Sequence, residues 1–163
     1  MINVLVRGEA EISECGRYRY RLARWWGDGP MLPFVMLNPS TADASLDDPT
    51  IRRCIGFAKR EGCGGILVAN RFGYRATDPQ ELGRVRDPYG PGNDAALLHI
   101  ALSAGESGQP IVCAWGAKGG NESRTSAILL RGGAHLVCLG MTKDGHPRHP
   151  LYVKANQPLV PYR

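Results

Sequence analysis

Leu32-Pro33-Phe34-Val35-Met36-Leu37-Asn38-Pro39-Ser40-Thr41-Ala42-Asp43 decides how the chain is read. An apolar run, Phe34 to Leu37, stops abruptly at Asn38-Pro39. Pro39 has no N–H to offer a ladder, and it pushes Asn38 toward an extended backbone. Ser40, Thr41 and Asp43 follow with short polar side chains. Folds that alternate strands and helices bind ligands outside the carboxyl ends of their strands. A buried strand ending in a polar turn therefore makes Asn38 the first candidate functional residue, with Pro39, Ser40, Thr41 and Asp43 beside it. The same residues also suit a plain turn, where Asn, Pro and Ser are favoured for backbone reasons.

Working outward, Asp48-Pro49-Thr50 opens a helix, with Asp48 as N-cap and Pro49 at the first helical position. Ile51, Cys54, Ile55 and Ala58 recur at helical spacing. Gly62 to Gly65 ends this helix, and Ile66-Leu67-Val68-Ala69 forms a second buried strand that also terminates in Asn, at Asn70. Two strands joined by one helix make a right-handed β-α-β unit whose strand ends open on one edge. Thr77-Asp78-Pro79-Gln80-Glu81-Leu82 reads as a short capped helix. Asp87 to Asp94 is too rich in Pro and Gly for regular structure. Asn93 or Asp94 then caps a helix through Leu98 and Leu102. A third strand, Ile111 to Ala114, ends in Trp115-Gly116-Ala117-Lys118. A helix over 121–131, with Ile128, Leu129 and Leu130 inward, leads to a fourth strand, His135 to Leu139. Residues 153–163 end in a short edge element.

On the N-terminal side, Glu9 to Cys15 and Arg17 to Trp26 alternate around Glu14-Cys15-Gly16-Arg17, which predicts a β-hairpin. The alternation puts Tyr18, Tyr20 and Leu22 on one face and Arg17, Arg19 and Arg21 on the other, a face that suits phosphates but is more often simply solvated. The fold class expected is α/β, a three-layer sandwich with a mainly parallel four-stranded central sheet plus this hairpin. Residues 1–163 form one domain, with 1–31 the hairpin extension and 32–153 the core.

The chain has 163 residues, enough for one core, and 43% hydrophobic against 21% charged residues is ordinary globular composition. No run approaches the roughly 18 apolar residues of a membrane span. The start, Met1 to Arg7, lacks a signal-peptide pattern, so a cytoplasmic protein with no membrane partner is expected. The net charge is +5, and 16 of the 20 basic residues are arginines. Arginine is the better fork for phosphate, which makes DNA or a nucleotide the expected partner. Five cysteines with no Cys-x-x-Cys pair signal neither a disulfide framework nor zinc. No GxGxxG or GxxxxGK[ST] loop occurs, and no cofactor is expected.

Every strand end carries polar groups: Asn38, Ser40, Thr41 and Asp43; Asn70, Arg71 and Arg75; Trp115 and Lys118; Thr142, Lys143, His146, Arg148 and His149. Parallel strands bring all of these to one edge of the sheet. His146 and His149 are suited to donate to a developing negative charge, and Arg148 to an anion. With Asp43, Asp47 and Asp48 the two histidines make an alternative, a metal-dependent hydrolase. A second alternative is a non-catalytic module binding nucleotide or nucleic acid. Catalysis through a histidine is expected to titrate near neutrality, whereas binding by arginine is not.

Met36 to Asp43, Asp48-Pro49-Thr50, Arg75-Ala76-Thr77-Asp78-Pro79, Asp87 to Asp94, Ala114-Trp115-Gly116 and Pro147-Arg148-His149-Pro150-Leu151-Tyr152 together resemble a bacterial and phage family of unknown function, over residues 33–153. More distantly, the layout resembles the uracil-DNA glycosylase superfamily. Asn38-Pro39 is similar to the Asn-Pro of the mismatch-specific branch, Arg75 and Asp78-Pro79 to the second-strand segment of the thermophile branch, and His149-Pro150-Leu151 to the late His-Pro motif. The iron–sulfur cysteines of the thermophile branch are missing. The resemblance implies hydrolysis of an N-glycosidic bond in a nucleic-acid base or nucleotide. Asn38 would orient water on the sugar, and His149 would stabilise charge on the departing base, with His146 competing for that role. Phe72 or Tyr74 would stack on the base and Asn70 would read its edge, as in enzymes that act on extruded bases. Arg71, Arg75, Lys143 and Arg148 would hold phosphates, with Asn93 and Trp115 also at the site.

Overall fold

The four apolar runs that end in polar turns become four parallel strands at the centre of one sheet. The computed structural model describes residues 5–163; residues 1–4, which carry part of the expectation that no signal peptide is present, lie outside them. The strands are β1 (Arg7–Ile12), β2 (Arg19–Trp25), β3 (Met31–Met36), β4 (Gly65–Asn70), β5 (Ile111–Cys113), β6 (Leu136–Cys138) and β7 (Val160–Pro161). The helices are α1 (Pro49–Arg60), α2 (Asn93–Ser107) and α3 (Ser123–Arg131), with 3₁₀ turns at Pro79–Gly83 and Pro150–Tyr152.

The sheet is seven-stranded and mixed, in the order β1-β2-β4-β3-β5-β6-β7. This corrects the expected four-stranded sheet. β4, β3, β5 and β6 run parallel, but the hairpin does not stand apart from them. β2 pairs antiparallel with β4, Leu22 opposite Val68, and β7 pairs antiparallel with β6. Both additions cover edges that would otherwise present unpaired backbone groups.

Crossover handedness sets the layers. β3 to β4 steps one way along the sheet, while β4 to β5 and β5 to β6 step the other way. Right-handed crossovers then place α1 on one face and α2 and α3 on the other. The apolar clusters have this arrangement. Ile51, Cys54 and Phe57 of α1 pack with Leu32, Phe34 and Met36. Leu97, Ile100 and Ala104 of α2 and Leu129 of α3 pack with Val35, Ala69 and Cys113.

Local signals explain most helix ends. Asp48 caps α1, its side chain accepting from the Ile51 N–H at 2.9 Å, with Pro49 in the first turn. α2 departs from expectation: its cap is Gly92, without a side-chain bond, and the Asn93 side chain is turned away to β4. Of the three α3 residues expected inward, only Leu129 is fully buried, and Leu130 is 60% exposed. Three consecutive residues cannot share one face of a helix.

The expected alternation fails in β2. Pairing slips between Glu11↔Arg21 and Ile12↔Arg19, which leaves Tyr20 as an extra residue. Such a bulge inverts the phase of the strand. Arg19 therefore joins Leu22 and Arg24 on the inner face instead of the outer one. Both arginines are 2% exposed. Arg19 Nη1 donates to the Ala42 carbonyl at 2.8 Å, and Arg24 pairs with Asp47 at 2.8 Å while also donating to the carbonyls of Asp43 and Leu46. Two side chains of the hairpin thus clasp the loop that follows Asn38.

Candidate functional site

Strand order reverses between β3 and β5, since the chain leaves β3 for a neighbour on one side and returns later on the other. The crevice outside the carboxyl ends at such a switch point is where α/β sheets take ligands. An open cleft of about 480 Å³ lies there. Asn38 and Ser40 line it from β3, Asn70 from β4, Trp115 to Lys118 from β5, and Thr142, Arg148 and His149 from β6. Its volume is in the usual range for a small-molecule pocket.

Asn38 and Asn70 differ in state. Asn38 Nδ2 donates to the carbonyls of Pro39, at 3.0 Å, and Ala76, at 2.7 Å. Carbonyl oxygens only accept, so these bonds fix which way the amide points. Its Oδ1 is left without a partner among the described residues, as an acceptor at the cleft. Asn70 is 1% exposed, and neither its Nδ2 nor its Oδ1 finds a protein partner. Buried polar atoms are nearly always paired. Both atoms are left for a partner from the cleft, water or ligand.

His149 caps the 3₁₀ turn that follows it. Its Nδ1 accepts from the Leu151 N–H at 3.2 Å, so the proton of the neutral ring sits on Nε2. Burial lowers its pKa, against the opposing charge of Asp48. Neutral His149 is therefore a donor through Nε2.

Trp115, 1% exposed, donates through Nε1 to Glu122 Oε2 at 2.9 Å and packs edge-on against Tyr162, ring centroids 5.7 Å apart. Glu122 Oε1 accepts from the Tyr162 hydroxyl and from Arg163 at 2.9 Å. Tyr162 and Arg163, just after β7, thus brace the wall of the cleft through Glu122 and Trp115.

Several expected site residues stand elsewhere. Pro39 is buried and supplies carbonyl contacts to Asn38 and Ala76. Thr41 and Arg75 line a smaller neighbouring depression. Asp43 Oδ1 accepts from the N–H groups of Ser45 and Leu46, which lowers its pKa and fixes the loop. Arg71 donates to the carbonyls of Gly119 and Asn121 and so ties down the segment after β5. Phe72 packs on Tyr89 at 4.9 Å, and Tyr74 meets Tyr18 edge-on at 5.9 Å. Neither ring lines the cleft, so neither is placed to stack on a bound base. Asn93 is fully buried and donates to the carbonyls of Asn70 and Arg71 at 2.9 and 3.1 Å. Its role is to hold the end of β4. Lys143 is exposed on a turn, and the His146 N–H bonds to Thr142 Oγ1; neither side chain lines the cleft.

Of the acids in the metal-hydrolase reading, Asp47 is paired with Arg24 and Asp43 caps its loop, whereas Asp48 lines the cleft with His149. Among the described residues no group of three or more His, Cys, Asp or Glu is arranged to hold a metal. All five cysteines are free thiols, four of them buried. Among the described residues no helix is long and apolar enough to cross a membrane.

Several cleft residues escaped the sequence reading of the site, among them Arg19, Thr50, Thr77 and Tyr152. Arg19 was concealed by the bulge. Asp48, read as a cap and as one acid of the metal-hydrolase alternative, also lines the cleft.

A search of the curated proteins finds no match to the chain. One family model, described as "Protein of unknown function (DUF1643)", matches residues 19–151. The match begins at Arg19, well before the expected residue 33, and so takes in all of β2. With most of its length covered, from the clasping hairpin strand to the turn after His149, the chain belongs to the DUF1643 family.

Proposed function

We propose that the cleft binds a nucleobase attached to a sugar and hydrolyses the N-glycosidic bond, as the likeness to uracil-DNA glycosylases implies. One observation carries this reading: the Asn70 amide, buried at the cleft with donor and acceptor both unpartnered. An amide is complementary to a base edge that carries an adjacent donor and acceptor.

The other cleft groups fit the remaining steps. Asn38 Oδ1, held by the tethering of Nδ2, accepts from a water and aims it at the sugar C1′. An amide oxygen is too weak a base to take the proton, and an oxocarbenium-like centre does not require that it should. Water oxygen bonds to C1′ and its proton passes to solvent. The C1′–N bond breaks, and the base departs with the electron pair. His149 Nε2–H donates to the base oxygen where that charge grows. Tyr152, 77% exposed beside His149, offers the aromatic surface that Phe72 and Tyr74 do not.

The test is a base-release screen over nucleosides, nucleotides and DNA carrying modified bases. Asn38→Ala should slow release by about 10²- to 10³-fold, the usual cost of a group acting on the reacting atoms. Binding should stay within about threefold, since ground-state contacts are kept. A folded variant that loses binding and release together would remove Asn38 from this role.

A further inference from the structure

Arginine is the chain's main cation, and two arginines line the cleft, Arg19 and Arg148. Arg148 is exposed and gives Nε to the Met141 carbonyl at 3.2 Å. Arginines nearby are engaged by protein oxygens. Arg24 takes Asp47 and two carbonyls, and Arg53 the carbonyls of Pro150 and Val153. Arg71 gives Nη2 to the carbonyls of Gly119 and Asn121; its Nε is buried without a partner, but the residue does not line the cleft. Arg71, expected to hold a phosphate, therefore stands outside the cleft.

Arg19 is different. It lines the cleft at 2% exposure and makes one bond, from Nη1 to the Ala42 carbonyl. Its Nε is buried with no partner, and it forms no ion pair among the described residues. Asp48 is the leading opposing charge, but one of its oxygens is committed to the Ile51 N–H. Burial lowers the Arg19 pKa only to about 10, so the guanidinium is charged at neutral pH. A buried charge without a counter-ion is costly, and the usual resolution is a paired anion. The open fork, Nε with Nη2, has the geometry that phosphate or carboxylate oxygens accept in pairs.

We propose that Arg19 forms an anion subsite of the cleft and that the ligand is a free nucleoside monophosphate, its phosphate on Arg19 and its base on Asn70. The choice of nucleotide rests on the base-reading proposal above; the anion subsite stands without it. Burial argues for a free nucleotide over a DNA strand. Backbone phosphates of a duplex are met by exposed basic side chains on a broad surface, whereas Arg19 is recessed within a cleft of small-molecule size. Hydrolysis of such a ligand consumes one water and yields free base and sugar 5-phosphate.

The experiment is calorimetric titration of the full chain with nucleoside monophosphates, the matching nucleosides, inorganic phosphate and short oligonucleotides. Wild type, Arg19→Lys and Arg19→Gln are compared, each checked by thermal melting. At least one monophosphate should bind about 10- to 100-fold more tightly than its nucleoside, the usual span for charge-assisted hydrogen bonds. Inorganic phosphate should compete with it. The advantage should shrink in Arg19→Lys and vanish in Arg19→Gln. If Arg19→Gln fails to fold, Arg19→Lys and the phosphate competition decide. Nucleosides binding as well as monophosphates, with no phosphate competition, would overturn the subsite and leave the base reading standing. Phosphate binding that needs Arg19 but shows no base preference would uphold the subsite and overturn the base reading. Tighter binding of an oligonucleotide than of the monophosphate would overturn the free-nucleotide assignment.

Discussion

Replacing Asn70 by Ala separates a residue that reads a ligand from one that holds the fold. The Asn70 side chain makes no hydrogen bond to the protein, although it is 1% exposed. Truncation therefore breaks no intramolecular hydrogen bond. It removes two polar atoms whose burial costs about 1–3 kcal/mol each when unsatisfied, and less where water of the cleft reaches them. It also forfeits the dispersion contacts of three heavy atoms, roughly 1 kcal/mol in all. The balance lies between neutral and about 2 kcal/mol stabilising. At about 2–4 °C per kcal/mol for a chain of this size, Tm should stay level or rise by up to about 8 °C.

Ligand binding should move the other way. A base edge left facing Ala loses two partners in a dry cleft, about 2–4 kcal/mol together, or about 30- to 700-fold in Kd. Scanning fluorimetry gives the first quantity and calorimetric titration the second. Asn70→Asp sharpens the comparison, because a carboxylate keeps the acceptor and loses the donor. A fall in Tm of more than about 4 °C with affinity unchanged would refute the reasoning. Asn70 would then be a brace whose partners are ordered waters, not a reader of bases.

Three further outcomes follow from the geometry. The lowered His149 pKa makes the unfolded chain bind its proton first as pH falls below the ordinary value of about 6.5. Stability from this group is complete above that value and drains away as pH falls through the folded pKa; His149→Asn, which keeps an acceptor for the Leu151 N–H, should lose less stability between neutral pH and pH 5 in chemical denaturation. Glu122→Ala strips partners from the buried Trp115 Nε1 and the Tyr162 hydroxyl, and equilibrium unfolding in urea should show a loss of about 2–4 kcal/mol. Gly64→Ala drives a methyl group to 2.5 Å from the Gly29 nitrogen and 2.7 Å from the Gly27 oxygen; these are backbone atoms that cannot swing aside, so urea unfolding should report about 1–3 kcal/mol of destabilisation.

The parallel core was legible because its signals are local. Each apolar run is short, each ends in a polar turn, and Asp48-Pro49 announces α1 by rules that need no tertiary contact. The width of the sheet was not legible in the same way. Edge pairing of β2 on β4 and of β7 on β6 is a contact between distant segments, and nothing in Val160-Pro161 names its partner. Arg19 shows the same limit more sharply. Period-two alternation assigns it to the outer face of the hairpin, and only the slip at Tyr20 turns it inward. Arg71, Phe72 and Tyr74 follow Asn70 directly, and proximity in sequence made them look like site residues. Their side chains instead meet Gly119, Tyr89 and Tyr18, residues far along the chain.

Two asparagines that look alike in the sequence end up with opposite freedoms, and the difference sorts the tasks of the cleft. Both close a central parallel strand, and both lie at its carboxyl edge. Asn38 is followed by Pro39, which turns the chain back so that the carbonyls of Pro39 and Ala76 capture its Nδ2. The captured amide cannot flip, and a fixed acceptor suits a single, oriented water. Asn70 sits where Asn93 takes over the backbone contacts, donating to the carbonyls of Asn70 and Arg71. That service releases the Asn70 side chain from any structural duty. An untethered amide presents its donor and acceptor in either order, so the protein scaffold does not by itself select which base edge is read. On the proposed reading, selectivity among bases then comes from the fixed Nε2–H of His149, while Arg19 holds the phosphate that all nucleotides share. A His149→Ala variant should accordingly accept a wider set of bases at lower rate, while Asn70→Ala should weaken all of them alike. Calorimetric titration across a panel of base analogues distinguishes the two patterns. Equal widening in both variants would show that the fixed and free groups do not divide the work in this way.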